Sequence, residues 1–145
     1  MKLLKNSNAL ILSHFSIRTT EGGGPPQEIR DYLLPKIKRL YYIEHPFPYA
    51  LDHRSSMIIY EECILKKQIY SFKNFGPEGL FYILDIFITF YFLIRAWTRF
   101  DLCIALDNLN AVSVLPFKKL GIVRKLIFYT IDYTPNRFKN KILNN

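Results

Sequence analysis

Residues 101–121, "DLCIALDNLNAVSVLPFKKLG", change character twice within one short span. Leu102 to Leu106 are apolar without alternation, as suits a strand buried on both faces. Asp107 and Asn108 close that run, and both residue types are favoured helix N-caps. The spacing then predicts a helix over 109–121, with Gly121 suited to the C′ position. A buried strand, a polar end and a helix make most of a βαβ unit.

The flanking segments extend the same alternation. Downstream, "VRKLIFYTIDY" (123–133) reads as another buried strand closed by Asp132, and "TPNRFKNKILNN" opens a helix with Thr134 as cap and Pro135 at N1. Upstream, "NALILSHF" (8–15) is an apolar run of strand length. "PPQEIRDYLLPK" (25–36) sets Ile29, Leu33 and Leu34 at helical spacing, and Pro35 marks its end. "IKRLYYIEHPF" (37–47) is a strand that stops at His45-Pro46, and "SSMIIYEECILKKQIYSF" (55–72) reads as a hairpin around Glu61 and Glu62. Residues 76–100, opened by Pro77, are the longest helix candidate. This order predicts an α/β layered fold with a mainly parallel sheet.

In such sheets ligands gather at the carboxyl ends of the strands. The polar residues that close the strands are therefore the candidate site: His14, Glu44-His45, Asp107-Asn108 and Asp132. An Asp there serves as a base, bonds a sugar hydroxyl or simply caps the next helix. His14 serves as a ligand or proton carrier, or as a hydrogen-bonded fixture. Arg137 and Lys139, in the first turn after Asp132, either meet an anion or form a solvated basic face.

Half of the six glycines stand together at Gly22, Gly23 and Gly24, between the first strand and Pro25-Pro26. A glycine loop before a Pro-initiated helix lets backbone approach an anion, whose charge the helix N-terminus favours. The same arrangement also serves as a plain flexible turn, and it matches neither G-x-G-x-x-G nor the P-loop pattern.

The bulk numbers narrow the class. A chain of 145 residues, 50% hydrophobic, has the length of one domain with a real core. The net charge of +8 implies an acidic partner such as phosphates or anionic lipid. Cys63 and Cys103 both lie in apolar runs, which predicts buried thiols in a reducing compartment. The first residues carry lysines and an apolar run but no small-residue cleavage site, so a signal peptide is not expected. No metalloprotease, serine-hydrolase or RNA-recognition motif occurs.

Residues 80–97, "LFYILDIFITFYFLIRAW", approach membrane-spanning length. A span here would put the two halves of one sheet on opposite sides of the bilayer. Asp85 and Thr89, continued by Tyr82 and Glu78, instead suggest a helix packed on the sheet with a narrow wet edge. The basic residues at 36, 38, 39, 118, 119, 124 and 125 fall on the sheet edge opposite the candidate site, solvated or facing anionic lipid.

The succession of strand, "EGGGPPQEIRDYL", strand, hairpin, long helix, "FDLCIALDNLNA", helix and "KLIFYTIDYTPNRFKN" resembles the N-terminal, acceptor-side half of a GT-B glycosyltransferase of the group-1, family-4-like kind. The resemblance covers nearly the whole chain. It implies a single Rossmann-like domain over 1–145, mainly parallel, with helices on both faces and a β-hairpin insertion. It implies transfer of a sugar from a nucleotide-sugar donor to a glycan or lipid-linked acceptor, with no metal or other cofactor and no nucleic acid. Gly22, Gly23 and Gly24 would then lie along the donor diphosphate. Asp132 would stand near the reacting sugar as the catalytic residue, and His14, Asp107, Asn108 and Arg137 would bind the acceptor.

Such enzymes also need a C-terminal nucleotide-sugar-binding domain with a pair of glutamates. That domain would be the missing partner, and the chain would be a truncated N-terminal part, inactive by itself. The location implied is cytoplasmic, peripheral at the inner membrane face. Two other classes fit the same residues: a non-catalytic Rossmann-like module for a nucleotide or anion, and a small protein anchored by residues 80–97.

Overall fold

A computed structural model describes residues 6–14 and 24–130. In chain order the elements are β1 (Asn8–Ser13), α1 (Pro25–Leu33), a 3-10 turn (Leu34–Lys36), β2 (Arg39–Glu44), β3 (Arg54–Glu61), β4 (Ile64–Lys73), α2 (Glu78–Ala96), β5 (Leu102–Ala105), α3 (Asn108–Lys119) and β6 (Leu126–Phe128). The six strands form one sheet in the order β4-β3-β2-β1-β5-β6.

The sheet is mixed: the parallel portion expected from the sequence is joined by an antiparallel one. β2, β1, β5 and β6 run parallel to their neighbours, while β3 and β4 pair antiparallel beside β2. The expected hairpin is thus no insertion standing apart from the sheet but its whole outer flank. The physical cause is the short connection after β2: nine residues separate Glu44 from Arg54, too few for a crossover helix, so the chain returns antiparallel.

Alternate residues along the central strands feed two cores. Leu10, Leu12, Tyr41, Ile43 and Met57 face α2 and α3, meeting Ile88, Phe92 and Phe117. Ala9, Ile11, Leu40, Tyr42 and Ile58 face the other way, against Leu33 and Ile37 at the end of α1. Helices therefore cover both faces, and the central strands are buried on both, which is why they lack an alternating pattern. Asp107 caps α3, its carboxylate accepting from the Asn110 N–H at 2.8 Å. Gly121 follows the helix with φ +72°, a left-handed position that favours glycine.

Two local expectations change. Cys103 is buried, and burial pushes its thiol well above the usual range, but Cys63 is exposed. Cys63 lies in the two-residue turn Glu62-Cys63 between β3 and β4, where both residues have positive φ, 50° and 67°. Such a turn matches the twist of a hairpin, and it normally carries Asn-Gly, so its sequence signal was absent. The long helix is also shorter than expected, ending at Ala96 because Trp97 turns left-handed, with φ 43° and ψ 46°.

Candidate functional site

The carboxyl ends of β1, β2 and β5 are neighbours in the sheet, and their closing residues meet. His14 follows β1, Glu44 ends β2 with His45 after it, and Asp107 follows β5. Asp85, from the inner face of α2, joins them. His14, His45, Asp85 and Asp107, four ionisable groups from four elements, thus form one buried polar network.

His14 stands at the centre. Its Nδ1 donates to Asp107 Oδ2 at 2.6 Å and its Nε2 donates to Asp85 Oδ2 at 3.3 Å. Burial alone would lower the His14 pKa, but hydrogen bonds and charge attraction from the two carboxylates raise it to about 9. Each ring nitrogen lies against a carboxylate oxygen, which favours the imidazolium, and Asn110 Nδ2 also lies 3.2 Å from Nδ1. Burial alone would likewise raise both aspartates. The hydrogen bonds to His14, joined at Asp85 by His45, hold them below the ordinary carboxylate range.

The remaining members fix these groups in place. Asn74 Nδ2 donates to Asp85 Oδ1 at 2.7 Å, and His45 Nδ1 lies 3.3 Å from the same oxygen. His45 also hydrogen-bonds Ser55 at 2.9 Å and Thr89 at 2.8 Å. Asn110 Nδ2 donates to Asp107 Oδ2 at 2.6 Å, alongside the backbone bond that makes Asp107 the cap. Ser56 donates to Glu44 at 2.8 Å, and this pair lies apart from the network, because Glu44 shares the face of Leu40 and Tyr42 on the α1 side of the sheet.

Access runs from one side. The His14 side chain is 8% exposed and that of Asp85 2%, whereas Asp107 is 18% exposed, so the outer edge of the network is the Asp107 carboxylate. Asn108, the next residue, is exposed as the first residue of α3. The Phe47 ring lies tilted against His14 and the Tyr82 ring edge-on to it, with centroids 6.0 and 5.9 Å away. Among the described residues, no group of three His, Cys, Asp or Glu side chains is arranged to hold a metal ion.

The structure therefore brings His14, His45 and Asp107 together, with Asn108 beside them. Asp132, Arg137, Gly22 and Gly23 lie outside the described residues. Gly24 is the N-cap of α1 in an extended conformation, φ −139°, and its N–H donates to Gln27 Oε1 at 3.1 Å, within the helix start. The basic residues assigned to the opposite edge do open strands or end helices there: Arg39 opens β2, Lys118 and Lys119 end α3, and Arg124 and Lys125 precede β6.

Asp85 and Thr89 are the site residues that sequence reading placed wrongly, on a wet edge. Both are buried, while Tyr82 and Glu78 hydrogen-bond each other at the surface. A carboxylate in the middle of the helix with apolar residues on either side was the available signal, because a charge buried there must be paired. Asn74 and Ser55 carried no signal, since only the tertiary fold brings the end of β4 and the start of β3 to Asp85. No protein-family model matches the sequence, and no curated protein or solved structure matches it. The described residues thus define an α/β fold with a six-stranded mixed sheet, three α-helices and a buried His–Asp network at its carboxyl edge.

Proposed function

We propose that the chain is the acceptor-side, Rossmann-like domain of a nucleotide-sugar glycosyltransferase, acting on a glycan or lipid-linked acceptor. The observation that carries this reading is the meeting of His14, His45 and Asp107 at adjacent carboxyl strand ends. That is where sheets of this class bind polar ligands. A carboxylate held ionised at the rim of a buried network suits a sugar hydroxyl, which donates to it in a charge-assisted hydrogen bond.

Asp107 and Asn108 would contact the acceptor. His14 has both N–H groups committed, so it would act as a positioning residue that keeps Asp107 charged and oriented, rather than as a base. Transfer forms a bond from the acceptor oxygen to the anomeric carbon and breaks the bond to the donor diphosphate. The acceptor proton goes to a base, for which Asp132 is our assignment. Charge on the departing diphosphate would be met by backbone N–H groups of Gly22 and Gly23 and by Arg137, with Gly24, whose N–H is held by Gln27, ending that loop. A second nucleotide-binding domain would deliver the donor.

The test is binding by the chain itself, since the acceptor side needs no donor domain. Isothermal titration against a panel of glycosides and polyprenyl-linked sugars should find a saccharide ligand. Asp107→Asn preserves a capping residue, yet it should weaken that binding by about tenfold through loss of a charged hydrogen bond. A panel in which nucleotides bind and no saccharide does would replace the transferase reading with a non-catalytic nucleotide module.

A further inference from the structure

α2 has two apolar faces, and among the described residues only one of them has a partner. Phe81, Asp85, Ile88 and Phe92 point into the sheet. On the opposite side Ile83, Phe87, Tyr91 and Ile94 recur every three or four residues and are 51%, 63%, 45% and 60% exposed. α3, which packs beside α2, adds Val112 and Leu115, also exposed. An apolar strip of this length on a soluble surface marks an interaction site.

The strip ends in a corner of distinct composition. Trp97 is 87% exposed and Leu120 74% exposed. Around them stand Arg95, Arg99, Lys118, Lys119, Arg124 and Lys125, all exposed. Between Ile86 and Thr130 the only acidic residues are Asp101 and Asp107, and Asp107 belongs to the buried network at the other edge. Arg99, Lys118 and Arg124 also line a hollow of about 430 Å³ next to this corner.

Trp97 supplies an independent observation. It is held left-handed, at φ 43°, where glycine would sit without strain and a bulky side chain costs about 1–2 kcal/mol. The Trp97 ring contributes little to the core that would offset this strain, since it projects into solvent.

We propose that the outer face of α2, ending at Trp97 and Leu120, docks on an anionic phospholipid bilayer. The helix lies in the interface, its apolar strip entering the acyl boundary while the arginines and lysines meet lipid phosphates. Trp97 has the amphipathic ring that settles at headgroup level. The inference concerns the edge away from the His–Asp network and stands whether or not the acceptor reading does.

Trp97 is the only tryptophan in the chain, so its fluorescence reads the contact directly. Vesicles of phosphatidylcholine with phosphatidylglycerol should move its emission to shorter wavelength, and pure phosphatidylcholine should do so far less. In co-sedimentation, Lys118→Glu with Arg124→Glu should lower partition by at least about 25-fold, at roughly fivefold per basic side chain removed. Trp97→Gly should lower it about tenfold while leaving the melting temperature equal or higher, because strain is relieved. No emission change on anionic vesicles would overturn the proposal. So would emission already shifted in buffer in a concentration-dependent way, which would mean that a second copy covers the strip.

Discussion

Replacing His14 by Gln should make the stability of this protein lose one particular pH dependence. In the folded chain the His14 pKa is about 9, against 6.5 for a free histidine. The folded state therefore binds this proton more tightly than the unfolded chain. The stabilisation is fully present below pH about 6.5 and is lost as pH rises through about 9. The difference between those values corresponds to about 3 kcal/mol, a large share of the roughly 5–15 kcal/mol typical of a domain.

Urea unfolding followed by circular dichroism between pH 6 and 9.5 would measure it. The unfolding free energy of the wild type should fall by about 3 kcal/mol across this window, after subtraction of the same curve for His14→Gln. The variant should itself be less stable by about 3–5 kcal/mol at pH 6, because Asp85 and Asp107 are left buried without their cation. The gap between the two proteins should then narrow steadily towards pH 9.5. A gap that stays constant over the whole window would show that the imidazole is neutral in the folded state, and the ion-pair account of the network would fail.

Two further outcomes follow from packing and turn geometry. Glu62→Asn with Cys63→Gly should raise stability by about 1 kcal/mol, read as a higher urea midpoint at unchanged slope, since both positions need positive φ. Phe92→Ala should lower stability by about 3–5 kcal/mol in the same assay, because Phe92 is fully buried between α2 and the sheet and its removal leaves a cavity.

Much of the fold was legible in local pattern. Apolar runs without alternation at "NALILS" and "LCIA" specified strands covered on both sides, and those strands are parallel neighbours between helices. Asp107 and Gly121 signalled the two ends of α3 because capping is a short-range matter of backbone groups and φ. The strand-end rule also selected His14, His45 and Asp107, since closing residues of adjacent parallel strands must lie along one edge.

Other features depended on contacts that no window of sequence contains. The antiparallel flank arises because β3 returns beside β2, a choice between sheet edges made by global packing. The charge of His14 depends on Asp85, 71 residues away, and on Asp107, 93 residues away, arriving on its two ring nitrogens. Local sequence could show that α2 is apolar nearly all round and carries one carboxylate, Asp85, beyond its first turn. Only the tertiary structure decided which side of that helix was buried, and so turned Asp85 inward to the histidines and Phe87 and Ile94 outward. The physical reason is that a helix's own residues set its hydrophobicity, while the surfaces it meets set its orientation.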